Sequence, residues 1–152
     1  MRYRRGFTLA ELVTVIAVVG ILTAVALPAG RAVFRLNQES DLRDHLQKIA
    51  WAIDQYHELR LKGQIKEQAA RDQGTYPKTL AELSKPIELV DGRKLVLLRP
   101  RDLVDPMTGT STWNTFSSSD AYDSVSTNGD NIWDIHSTST ATALDGSHYN
   151  EW

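Results

Sequence analysis

Two hydrophobic periodicities divide the chain. From Phe7 to Leu27 nearly every position is apolar, reading FTLAELVTVIAVVGILTAVAL, and Glu11 is its one ionisable side chain. A run of about 21 such residues, as a helix, is long enough to cross roughly 30 Å of hydrocarbon. Past Pro28 the pattern turns amphipathic. Leu42, Leu46, Ile49, Ile53 and Tyr56 recur at helical spacing, with Ala50 and His57 beside them. Glu39, Asp41, Arg43, Asp44, Gln47, Lys48, Asp54 and Glu58 fill the other face. One helix is therefore predicted from about Phe7 to about Leu61, bent near Pro28 and Gly30. At 1.5 Å per residue it is roughly 80 Å long. Its first half is exposed and apolar, and its second half lies on a small globular domain.

The rest reads as short elements. Gly63 to Gly74 is charged and ends the helix or forms a loop. Thr79 can cap a short helix, with Glu82 completing a capping box. Ile87–Val90, Asp91-Gly92 and Arg93–Leu98 predict a hairpin with a tight turn. Asp105-Pro106-Met107-Thr108-Gly109 is a turn leading to Trp113, Thr115 to Asn131 is a loop, and Ile132–His136 is a further strand. The predicted fold class is α+β: a long N-terminal helix packed on a small antiparallel sheet, with a polar C-terminal loop.

Composition narrows the function. The 152 residues suit one domain with a modest core. A net charge of -2 offers no basic surface for nucleic acid. The absence of cysteine excludes disulfides, thiol catalysis and thiolate metal sites. No HExxH, phosphate loop or Gly-x-Ser-x-Gly occurs, and His45 and His57 are too far apart for a local metal pair. The chain reads as something other than an enzyme.

Ahead of the apolar run stands MRYRRG, with Arg2, Arg4 and Arg5. These arginines keep the N-terminus cytoplasmic and place the remainder outside, a bias that Arg31 and Arg35 weaken. On hydropathy alone two other readings compete. One is a secretory signal peptide cut near Ala24-Val25-Ala26, with Arg4-Arg5 hinting at a twin-arginine signal. The other is a plain membrane anchor. Neither explains Glu11, because a carboxylate inside an apolar helix costs a few kcal/mol and usually has a partner.

Arg5-Gly6-Phe7-Thr8-Leu9-Ala10-Glu11-Leu12 resembles the processing signal of type IV pilins and type II secretion pseudopilins. The resemblance implies a prepilin peptidase that cuts between Gly6 and Phe7 and methylates the new N-terminus at Phe7. It places the family's essential glutamate at Glu11 and its helix-kinking proline at Pro28. It implies a leader at 1–6, a transmembrane and polymerisation helix at 7–28, its amphipathic continuation at 29–62, and a periplasmic globular part at 63–152. The distal order, with Tyr76-Pro77 before Leu80, Asp105-Pro106 before Trp113 and a late strand, is similar to the major pseudopilins in particular.

The implied function is that of a structural subunit of a secretion pseudopilus in the bacterial inner membrane. Its implied partners are copies of itself in a helical filament, minor pseudopilins, the prepilin peptidase, an inner-membrane platform with its ATPase, and the lipid bilayer. A surface type IV pilin, for adhesion, motility or DNA uptake, is the alternative, and an exported binding protein with a removable signal is the second. Glu11 has a direct physical role in either filament. The freed amine of Phe7 is a second charge at membrane depth, and pairing the two across subunits sets their axial register. Calcium is the only cofactor in view. Major pseudopilins often hold one in the last loop through backbone carbonyls and two aspartates. In Thr138–Gly146 only Asp145 fits clearly; Asp130 or Asp134 would have to be brought close by the fold. Loop carboxylates in contact with water are the competing reading.

Overall fold

The fold is that of a computed structural model describing residues 6–66, 74–121 and 129–152, with only the backbone described at Val25 and Pro28. Helix α1 runs from Leu9 to Leu61. It ends where predicted and for a local reason. Gly63 takes φ 62°, its N–H donates to the carbonyl of Arg60 at 3.0 Å, and the N–H of Gln64 donates to that of Leu59 at 2.9 Å. Those crossed bonds form a Schellman stop, which a residue with a Cβ enters at a cost. The helix continues through Pro28 and Gly30. The side chain of Pro28 lies outside the described residues.

The chain forms two compact units, Met1–Asn37 and Gln38–Trp152. Within the first, Leu9, Leu12, Val13, Ile16, Val19 and Leu22 are all exposed. A helix apolar on every face and bare on every face has no stable place in water. Among the described residues it is the one helix long and apolar enough to cross a membrane.

In the second unit, α1 supplies Leu42, Ile49, Ala52, Ile53 and Tyr56 to the core. Two assignments change here. Ala50 is exposed and Ala52 is buried in its place. Glu39, assigned to the polar face, is 8% exposed. Three residues before Leu42 and ten before Ile49, it falls on the apolar stripe itself. The remaining core comes from Leu83 of α2 (Leu80–Leu83), from Ile87, Leu89 and Leu98, and from Trp113, Ile132, Ile135, Ala143 and Tyr149.

The strands form two separate pairs. Strands β1 (Ile87–Glu88) and β2 (Lys94–Leu95) are antiparallel, with Ile87 opposite Leu95. They are shorter than the predicted hairpin, whose Asp91-Gly92 turn is present with Gly92 at φ 83°. Ile65 adds a bridge to Leu89. Strands β3 (Trp113–Phe116) and β4 (Asp134–Ser137) pair from Trp113–Ser137 to Phe116–Asp134. The predicted loop at Thr115 thus begins two residues late. Its near ends are tied by Asn131, whose Oδ1 accepts from Ser117 Oγ and Ser118 N, both at 3.1 Å. Its middle, 122–128, lies outside the described residues. The expected capping box on α2 is remade: Thr79 Oγ1 donates to Glu82 at 3.3 Å and caps no N–H of the helix.

Asp105 joins the Asp-Pro turn to β4 and is fully buried. Its Oδ1 accepts from Met107 N and its Oδ2 from Ser137 Oγ, each at 2.7 Å. Gly109 N returns to the Asp105 carbonyl at 2.7 Å. Asp105→Ala strands the buried Ser137 hydroxyl and the partly buried Met107 N–H and removes both bonds. We expect a loss of about 3 kcal/mol, read as a fall in melting temperature of about 10 °C or more in the full chain in detergent. An unchanged melting curve would mean that water replaces both bonds.

Candidate functional site

The candidate site is the start of α1. Gly6 and Phe7 precede the helix, and the Phe7 side chain is 87% exposed. Thr8 is the N-cap. Its Oγ1 accepts from the Glu11 N–H at 3.2 Å, and Glu11 Oε2 accepts from the Thr8 N–H at 3.0 Å and from its hydroxyl at 3.1 Å. This reciprocal capping box satisfies donors that would otherwise be unpaired at the helix start. Thr8 and Glu11 therefore have a local partnership that the sequence reading of Glu11 did not include. The signal was present: Thr-x-x-Glu ahead of an apolar run is the capping-box pattern. Farther along, Thr14 and Thr23 donate to the carbonyls of Ala10 and Val19, each at 2.8 Å. Hydroxyls satisfied within their own helix suit an apolar surrounding.

Gly6 is unlike the turn glycines. Gly63, Gly92, Gly109, Gly129 and Gly146 all hold positive φ, and Gly6 does not. A Cβ added at Gly6 meets nothing within 4 Å. Within the described residues, nothing in the fold asks for glycine at this position.

Residues 1–27 match the prokaryotic N-terminal methylation motif. The type IV pilin-like prepilin signal is thus present, and with the apolar helix behind it the chain has the features of a membrane-anchored, pilin-like structural subunit. No curated protein matches the chain. No solved structure matches it either.

The other sequence candidate, Asp145, is placed in the C-terminal loop of the second unit. Its Oδ1 accepts from Ser147 Oγ at 2.6 Å and Ser147 N at 2.9 Å, and its Oδ2 lies 3.6 Å from Arg43. Hydrogen bonds from the Ser147 hydroxyl and then the Ser147 N–H, with a smaller contribution from Arg43, hold its carboxyl below the usual carboxylate range against a small opposing effect of burial. Asp134 is beside His136, its Oδ2 at 3.8 Å from Nε2, and Asp130 is exposed. No group of three His, Cys, Asp or Glu side chains able to share a metal occurs among the described residues.

Sequence reasoning missed Glu39. Its Oε1 accepts from Leu144 N at 2.8 Å and from the Tyr149 hydroxyl at 2.9 Å. The available signal was its register on the buried stripe. A carboxylate at such a position needs a donor from elsewhere in the fold.

Proposed function

We propose that the chain is a pseudopilin of a type II secretion system, of the major type. It is made with the 1–6 leader, cut after Gly6 by a prepilin peptidase, N-methylated at Phe7 and polymerised through the apolar part of α1. An inner-membrane platform and its ATPase would add subunits to a periplasmic filament that moves other proteins outward. The observation that carries this reading is the processing motif set directly on an apolar helix whose side chains have no cover of their own. Lipid covers them before assembly, and neighbouring α1 helices cover them afterwards. The distal Tyr-Pro, Asp-Pro and late-strand order supports the secretion branch, as does the absence of cysteine. A surface type IV pilin shares the motif and is the second reading.

Two measurements test the proposal. Mass spectrometry of the mature chain should find N-methylphenylalanine from Phe7 at the N-terminus; a start near Leu27 would return the chain to the exported, signal-peptide class. Deleting the gene should then abolish secretion of exoproteins. Loss of a surface filament with secretion intact would assign the chain to the pilins.

A further inference from the structure

The resemblance to the major pseudopilins implies a calcium ion in the loop after β4, and the residues present do not fit one. Asp145 is the sole carboxylate between Ser137 and Ser147. One of its oxygens is taken by two bonds from Ser147, and the other faces a guanidinium at 3.6 Å. Calcium asks for six to eight oxygens, with carboxylates supplying much of the compensating charge. A lone carboxylate cannot surround the ion, and the guanidinium already beside it offsets its charge and repels a second cation.

We infer that the C-terminal segment 143–152 is fixed by a metal-free clamp on α1, in which the buried carboxylate of Glu39 and the guanidinium of Arg43 do the work of the ion. The two side chains are four residues apart, so they share one helix face. Glu39 Oε1 gathers two donors from different parts of the loop, the Leu144 N–H at 2.8 Å and the Tyr149 hydroxyl at 2.9 Å. Arg43 carries the positive charge. It meets Asp145 on one side and lies 4.2 Å from the centroid of the Trp152 ring on the other. Trp152 in turn donates its Nε1–H to Ser147 Oγ at 2.7 Å and packs edge-on against Tyr149 at 5.2 Å. Loop, helix and aromatic pair thus close one connected set of contacts, with carboxylate and cation both supplied by the chain.

The two halves of the clamp are unequal. Both side chains of the Arg43–Asp145 pair are more than half exposed, so water and salt screen it. Glu39 and Tyr149 are buried, and their bond has no water to replace it. Glu39 therefore carries most of the hold, and Arg43 orients the loop tip. The clamp belongs to the second unit alone and does not depend on whether the filament is a pseudopilus or a surface pilus.

The test uses the full chain in detergent micelles, with unfolding of the globular unit followed by near-ultraviolet circular dichroism. Adding about 1 mM calcium chloride, or EDTA, should move the wild-type melting temperature by less than about 1 °C. Glu39→Ala and Tyr149→Phe should each lower it by about 5 °C or more, and the double variant should fall little further than Glu39→Ala alone, because the two share one bond. Exchange of the Leu144 amide should be faster by about tenfold or more in Glu39→Ala. Should Glu39→Ala fail to fold, Tyr149→Phe deletes one hydroxyl and keeps the ring, so its melting point and amide exchange decide the matter. A calcium-induced rise of several degrees that Asp145→Ala removes would overturn the inference. So would strictly additive effects at Glu39 and Tyr149, or a Tyr149→Phe variant as stable as the wild type.

Discussion

Gly6→Val is expected to leave the full-length precursor in the membrane with residues 1–6 still attached. The expectation follows from where the demand for glycine arises. The turn glycines of this chain are required by their own positive φ, and Gly6 is not among them. Space around it is open, so the chain itself would accept a valine at this site without strain. On the proposed reading the demand for glycine comes from a second molecule that approaches the backbone closely, as the active site of a peptidase does. Pocket discrimination by even one methylene amounts to roughly 10- to 200-fold. A branched side chain of three carbons, placed next to the scissile bond, should slow cleavage by at least the upper end of that range. Gly6→Ala should show a partial defect. The readout is the ratio of precursor to mature chain by mass spectrometry of the membrane fraction. Normal maturation of Gly6→Val would refute cleavage at this bond.

Legibility in the sequence followed the strength of local signals. Helix α1 was readable from end to end. Its apolar run carries a single charge, at Glu11, its continuation has a clear stripe, and Gly63 supplies a stop that depends on no distant contact. The processing motif was readable for the same reason, since it is a linear signal read by another protein. The strands were harder. β1 and β2 are two residues each, and the bridge beside them, from Ile65 to Leu89, comes from a segment more than twenty residues away in the chain. Such short elements take their length from tertiary packing, which period-2 alternation cannot measure.

Polar residues in the core were misjudged in a consistent way. Glu39 was placed on the polar face and Asp105 was read only as a turn residue, and both are buried with donors more than thirty residues distant in sequence. Charge argues for exposure when each residue is weighed alone. Register argues against it, and for Glu39 register prevailed because the loop brings an N–H and a hydroxyl to the same oxygen. Asp105 left a different trace. An aspartate whose carboxylate accepts from the N–H two residues later makes an Asx turn, so Asp-Pro-x-x-Gly identified the bend and gave no sign of Ser137.

Glu11→Leu should leave anchoring intact and abolish filaments. Removing a carboxylate from the apolar run relieves an insertion cost of up to about 3 kcal/mol, so the variant should enter the membrane at least as well as the wild type. Assembly is where it fails. On the proposed pairing across subunits, the freed Phe7 amine loses its counter-charge, and an unpaired buried charge costs about 3–5 kcal/mol relative to the pair. Each 1.4 kcal/mol shifts an association equilibrium tenfold, so even the lower figure raises the concentration needed for polymerisation by about two orders of magnitude. The structure adds a complication that can be turned into a control. Glu11 is also the capping partner of Thr8, so Glu11→Leu weakens the first turn of α1 besides removing the charge. Thr8→Ala breaks the same box and keeps the carboxylate; loss of a cap costs about 1 kcal/mol, which frays a turn without removing the pairing. Filaments should therefore persist in Thr8→Ala and be absent in Glu11→Leu, with equal amounts of mature subunit in the membrane. Glu11→Gln keeps a side chain able to cap and lacks the charge, so it should behave like Glu11→Leu. If Thr8→Ala loses filaments as completely as Glu11→Leu, the carboxylate acts by capping its own helix and the intersubunit pairing is wrong.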